Sequence, residues 1–228
     1  MDQTLQGLGS LLPGEAWRAL LSGGIARRYD AGDVMLRQGD PGTHVLVLTA
    51  GKVKVVRVEP DGTELLLAVR GPGEVIGEIA VLDGSGRSAT VTALSVCVTY
   101  ILSAERFSRI IDRFDLRDVL MRLLLRRYRE GEDIRVELAG LPAFDRVVRI
   151  LLRLAEVTHG SQRAVDLSQD ELASAMGLSR SAVAAELAEL RRLGHIATSR
   201  RRIMIRDLSG LTELTEGRAI DDSRRSAG

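Results

Sequence analysis

Gly73-Glu74-Val75-Ile76-Gly77-Glu78-Ile79-Ala80-Val81-Leu82-Asp83-Gly84-Ser85-Gly86-Arg87-Ser88-Ala89-Thr90 is the segment on which the reading of this chain turns. It begins in the turn signal Gly71-Pro72-Gly73, holds a second at Asp83-Gly84-Ser85-Gly86, and carries one basic residue, Arg87. Working outward, the same texture runs from about Ile25 to Leu102. Glycine recurs in turn settings at Ala31-Gly32-Asp33, Gln38-Gly39-Asp40-Pro41-Gly42, Ala50-Gly51-Lys52 and Pro60-Asp61-Gly62. Between the turns lie runs rich in Val, Ile, Leu and Thr, at residues 44–49, 52–58, 64–69 and 89–93. Short strands at roughly 8–12-residue spacing, bounded by turn signals, predict a β-sandwich or small barrel. Pro60-Asp61-Gly62 is a hairpin signal between two of them.

On either side the pattern is helical. Leu5, Leu8, Leu11, Leu12, Trp17, Leu20 and Leu21 predict one or two short helices before the strands. After them, Ser103 is placed to cap a short helix over 104–113, and Asp115 to start a long one. Leu116, Leu120, Leu123, Ile134 and Leu138 lie near heptad positions of that long helix, with Arg127 and Gly131 interrupting the stripe. A pair of such helices would join two copies of the chain, with Leu116, Leu120, Leu123 and Ile134 at the interface. The alternative is a helix packed on the core of its own chain. Leu141-Pro142 breaks the helix and marks a domain boundary near 140.

The length of 228 residues favours two domains. A hydrophobic fraction of 45% with 28% charged residues argues against a disordered chain. The single cysteine, Cys97, excludes an intrachain disulfide and a four-thiolate metal site. His44, His159 and His195 have no metal-ligand spacing, so no metal is expected. No apolar run is long enough to span a bilayer, and the first residues lack a signal-peptide pattern, so a cytoplasmic protein without a membrane partner is expected. The chain shows no nucleophile–base pair, which argues against an enzyme.

Thirty-two basic residues face 31 acidic ones, and all but Lys52 and Lys54 are arginines. The local balance is more informative than the total. Residues 169–176 and 179–193 predict two short helices separated by Gly177-Leu178, and residues 196–206 two strands around Ser199-Arg200-Arg201. From Ser179 to Arg206 there are seven arginines and two acids, Glu186 and Glu189. Such a concentration suits phosphate binding. Ser179 would cap the second helix, so its first turn, Arg180-Ser181-Ala182, would face the major groove. The expected contacts with double-stranded DNA are Ser168, Gln169, Ser179, Arg180 and Ser181 from the helices, and Arg200, Arg201 and Arg202 from a wing. The bland alternative is a helix-turn-helix used for protein contacts alone. From Leu208 a polar, frayed tail is expected.

The segment 73–90 resembles the phosphate-binding cassette of cyclic-nucleotide-binding domains. With Gly32-Asp33, Gln38-Gly39-Asp40, Gly51-Lys52-Val53 and Ser179-Arg180, the chain from about Leu11 to Arg206 resembles the cyclic-AMP receptor protein (Crp/Fnr) family of bacterial transcription regulators. The resemblance implies an α+β chain: a β-roll sensor over 1–114, a dimerisation helix and hinge over 115–140, a winged helix-turn-helix over 141–207 and a tail over 208–228. It implies a cyclic nucleotide effector, cyclic AMP first and cyclic GMP second, held by Gly77, Glu78, Ile79, Ala80, Arg87 and Ser88. Arg87 would meet the phosphate, Ser88 would add a hydroxyl, and Glu78 would accept from the ribose 2′-hydroxyl. A simple pairing of Arg87 with Glu78 is the structural alternative. The implied partners are DNA, a second copy of the chain and RNA polymerase. Two departures stand out. Family members that bind cyclic AMP read adenine with hydroxyl residues on the long helix, yet no Ser or Thr lies between Leu116 and Val157. Ser181 and Ala185 replace an acidic and a basic residue of the recognition helix, which implies a changed operator. A regulator that is ligand-independent or differently liganded, or a sensor acting through protein contacts, is the alternative function.

Overall fold

The computed structural model describes residues 5, 7–62, 64–156, 164–199 and 202–215, with the side chains of 130–139 outside that description. It divides into two compact units, 1–133 and 134–228.

In the first unit, a 3-10 turn at Gly7–Ser10 and helix α1 (Gly14–Gly23) precede strands β1 (Ile25–Tyr29), β2 (Val34–Leu36), β3 (His44–Ala50), β4 (Val53–Val58), β5 (Glu64–Arg70) and β6 (Val75–Ile76). A short helix α2 (Glu78–Asp83) leads into β7 (Thr90–Ala93) and β8 (Cys97–Ser103), then α3 (Ala104–Arg113) and α4 (Arg117–Ala139), whose residues from 134 on are counted with the second unit. The strands form two antiparallel four-stranded sheets, β1-β8-β3-β6 and β2-β7-β4-β5. This is the expected β-roll.

β3 shows how the unit is layered. Val45 and Val47 pack with Leu20, Leu102, Phe107 and Ile111 on one side. Leu46 and Leu48 pack with Leu36, Val53 and Val91 between the sheets on the other. A strand alternates its side chains between two faces, and both faces of β3 are covered. That is why residues 45–48 read as an unbroken apolar run.

The expected cap of α3 is present: Ser103 Oγ accepts from the Arg106 N–H at 3.2 Å. The expected start of the long helix is not. Asp115 has φ +52°, and the Leu116 N–H returns to the Ile111 carbonyl at 2.9 Å, so the chain turns sharply there and α4 begins at Arg117.

The second unit contains α5 (Ala143–Glu156), β9 (Ala164–Val165), α6 (Gln169–Met176), α7 (Arg180–Arg192), β10 (Ile196–Ser199) and β11 (Arg202–Ile205). The three strands pair antiparallel in the order β10-β11-β9. Ser168 and Glu171 form a reciprocal capping box at the start of α6. Gly177 ends α6 in the left-handed region, where a β-carbon would be strained, and Ser179 caps α7. Leu172, Met176, Val183, Leu187 and Leu190 are buried, as the helix-turn-helix reading requires. The expectation of a frayed tail from Leu208 is corrected in part. Residues 208–215 are helical, Leu211 is fully buried, and Asp207 Oδ1 accepts from the Gly210 N–H at 2.9 Å. Residues 216–228 lie outside the described residues.

Candidate functional site

Gly77 joins β6 to α2 with φ +85°, a conformation only glycine adopts without strain. A β-carbon there would also lie 2.6 Å from Arg87 Nη1. The backbone can therefore approach the guanidinium closely. Arg87 Nη1 donates to the Gly77 carbonyl at 2.7 Å and Nη2 to the His44 carbonyl at 2.5 Å. The Arg87 N–H donates to the Asp40 carbonyl at 2.8 Å, and its carbonyl accepts from Gly39 at 2.9 Å, which staples the two loops together.

Arg87 is 4% exposed, and among the described residues no carboxylate lies within ion-pair distance of it. Its acceptors are neutral carbonyls. Burial lowers the Arg87 pKa, opposed at longer range by the charges of Asp40 and Glu78. A cavity of about 280 Å³ opens beside it, lined among others by Leu36, Arg37, Thr43, His44 and Arg87. Glu78 and Ser88 do not line this cavity, so it does not by itself unite the expected ligand set. The cations Arg87 and Arg27, together with burial, push the His44 pKa down, burial contributing most.

Glu78 is buried but does not pair with Arg87. Its Oε1 accepts from Arg127 Nη1 at 2.6 Å. Arg127 Nη2 donates to Glu74 Oε2, and Arg70 Nη1 lies 3.8 Å from Glu74 Oε1. Burial pushes the Glu78 carboxyl pKa up, and the Arg127 charge opposes that shift. Ala80 is buried, whereas Ile79 and Ser88 are exposed. Sequence reasoning missed Glu74, Arg70 and the role of Arg127. The available signal was Arg127 itself, a cation on an otherwise apolar stripe.

In the second unit Ser168 and Ser179 spend their hydroxyls on helix caps, accepting from Glu171 and Ala182 at 3.2 Å each. Ser181 Oγ lies 3.0 Å from Ser179 Oγ. Gln169 opens α6. The Arg180 side chain is 68% exposed, with Nε 3.7 Å from Asp170 Oδ1. Arg202 Nε lies 3.4 Å from Asp166 Oδ1, and Arg192 pairs with Glu189 at 2.6 Å. The positive excess counted over 179–206 is thus partly offset by Asp166 and Asp170, which precede that window. Arg200 and Arg201 lie outside the described residues. Among the described residues no group of His, Cys, Asp or Glu is arranged to hold a metal ion, and no helix is long and apolar enough to cross a membrane.

Two family models match this chain: a cyclic nucleotide-binding domain over 26–114 and a Crp-like helix-turn-helix domain over 145–214. The CRP-like cAMP-activated global transcriptional regulator of Mycobacterium tuberculosis is 30% identical over 191 residues, 78% of this chain and 83% of that protein. The cyclic AMP receptor protein of Thermus thermophilus is 32% identical over 195 residues, 85% of this chain and 89% of that protein. The chain belongs to the Crp/Fnr family of transcription regulators. A solved CRP-family transcriptional regulator from Thermus thermophilus matches it with a TM-score of 0.67 at 28% identity, covering 83% of this chain and 96% of the other.

Both family models stop short of α4, so in this Crp/Fnr chain the long helix must be read from its own packing. That packing corrects the expected seam. Leu116, Leu120 and Leu123 are buried with Leu8, Leu20, Phe107 and Ile111 of the same chain. They join the apolar cluster beside the β1-β8-β3-β6 sheet, whose strands β3 and β8 are packed by α1 and α3. The open apolar stripe of α4 is Met121, Leu125 and Tyr128, spaced four and three residues apart. The Ile134 side chain lies outside the described residues.

Proposed function

We propose that this chain is a homodimeric DNA-binding regulator whose DNA affinity is set by a cyclic nucleotide, cyclic AMP in the first place, bound at residues 77–88. The observation that carries the reading is Arg87, a buried guanidinium held only by neutral carbonyls. A buried charge without a counter-ion is costly, and a cyclic phosphate monoanion would supply the missing one. The names of the two relatives above support cyclic AMP. In this reading Arg87 and the exposed Ser88 hold the phosphate, and Glu78 takes the ribose 2′-hydroxyl while remaining tied to Arg127. Residues 1–114 sense the ligand, 115–140 pair two copies and 141–207 bind DNA, with the 208–215 helix packed onto that last part.

No Ser or Thr is present on α4 to bond the base, so cyclic AMP and cyclic GMP should differ in affinity by less than about tenfold, or ~1.4 kcal/mol. Titration calorimetry with both nucleotides, with and without DNA, tests this. Binding of neither would remove the nucleotide reading. Binding that leaves DNA affinity unchanged would remove the regulatory one.

On the DNA side, Arg180 is assigned to a base edge and Arg202 to a phosphate. The Arg180–Asp170 contact is solvent-exposed and so too weak to hold Arg180 away from DNA. Arg180→Ala should cost about 1–3 kcal/mol and relax preference at one base position. Arg202→Ala should weaken binding to all sequences alike and flatten the salt slope by about one unit. Fluorescence anisotropy across a salt series separates the two patterns, and interchanged patterns would reverse the assignment.

A further inference from the structure

Arg127 spans two carboxylates rather than gripping one. Nη1 reaches Glu78 Oε1 at 2.6 Å, Nη2 reaches Glu74 Oε2, and the Nε–H is buried without a hydrogen-bond partner. The three side chains are 14%, 6% and 7% exposed for Arg127, Glu78 and Glu74, so water screens none of them well. A guanidinium facing a single carboxylate normally binds it through two parallel N–H bonds and occupies both oxygens. Here Glu74 holds one arm of the fork, and Arg127 engages only Oε1 of Glu78.

We infer that Glu74 is a positioning residue for the ribose contact: by holding the second arm of Arg127, it keeps Glu78 able to accept from the 2′-hydroxyl. This rests on the nucleotide site proposed above. Without Glu74, the unpaired Nη2 and Nε donors have one carboxylate within reach. The fork closes on Glu78 side-on, one lone pair on each oxygen is taken, and the ribose hydroxyl is left with a weaker, displaced acceptor. Arg70 tunes the arrangement from the other side. It lies 3.8 Å from Glu74 Oε1, while Arg127 uses Oε2, so the two cations share that carboxylate.

The test compares cyclic AMP with its 2′-deoxy analogue by titration calorimetry on the full chain. In the wild type, loss of the hydroxyl should weaken binding about tenfold, since the bond is made to a charged group. In Glu74→Leu, which keeps apolar bulk but offers Arg127 no acceptor, the loss should shrink to less than about threefold, with affinity for the deoxy analogue unchanged. A merely structural role for Glu74 would lower both affinities together and leave the ratio as in wild type, which would overturn the inference while leaving the nucleotide site standing. A wild type that binds both nucleotides equally would also overturn it, because Glu78 would not be reading the ribose. A wild type that binds neither would overturn the nucleotide site itself. Arg70→Gln supplies an independent arm if Glu74→Leu does not fold. With Arg70 gone, Glu74 keeps its full charge for Arg127 through Oε2, so the hydroxyl should count for at least as much as in wild type. A ratio below threefold in Arg70→Gln would overturn the inference.

Discussion

Replacing Arg87 by leucine should lower cyclic-nucleotide affinity by about 2–5 kcal/mol or more, enough to remove binding at micromolar concentration. The asymmetry between ligand and fold explains the size. In the ligand-free chain the guanidinium donates to the Gly77 and His44 carbonyls. Leucine would leave those two acceptors unpaired, at roughly 1–3 kcal/mol for each that water cannot reach. Removing a buried charge held only by dipoles recovers several kcal/mol of desolvation at the same time. The two effects oppose each other, so the thermal midpoint should move little. The bound phosphate has no such compensation. Arg87 is the only basic residue in 73–90, and Arg127 and Arg70, which approach the cassette from outside that segment, already face Glu74 and Glu78. Calorimetry on wild type and Arg87→Leu decides the matter. Affinities within threefold of one another would place the phosphate elsewhere.

What the sequence displayed and what it hid follow from the range of the interactions. The turn between α6 and α7 was legible because its determinants are local: Gly177 at a position needing positive φ, and Ser179 three residues before the N–H it caps. The cassette was legible through its resemblance to a known phosphate-binding segment, a resemblance carried by contiguous residues, 73–90, with Arg87 as their lone cation. The 208–215 helix carried a local signal too, Asp207 three residues before Gly210, but the polar composition beyond it obscured that signal. The start of α4 was misplaced because Asp115 has the composition of a helix cap, while its backbone is set by the return of Leu116 to Ile111. Arg127 could not be placed at all. Its partners Glu74 and Glu78 lie 53 and 49 residues away, and periodicity reports only that a charge interrupts a stripe.

The stripe itself leads to the second large effect, in which two leucines on one helix should respond to glutamate in opposite ways. Apolar spacing along a helix shows that a face is buried but not by which chain. Leu123 is 3% exposed and packed among core residues of its own unit, whereas Leu125, two residues on, is 49% exposed beside Tyr128 at 68%. Leu123→Glu should therefore unfold the sensor rather than split a dimer. It removes a buried side chain worth about 2–5 kcal/mol and puts an unpaired carboxylate in its place, against a typical stability of about 5–15 kcal/mol. Leu125→Glu leaves that core untouched, because its side chain already meets water in the single chain. At a paired seam of Met121, Leu125 and Tyr128 from two copies, it would bring two like charges together across the interface. The expected product is a folded monomer, with thermal midpoint and circular dichroism near those of a dissociated wild type. Light scattering at micromolar concentration, read beside a denaturant melt, distinguishes the two. A dimeric Leu125→Glu together with a folded, monomeric Leu123→Glu would mean that the faces of α4 are reversed, and that the buried stripe, not the open one, joins the two copies.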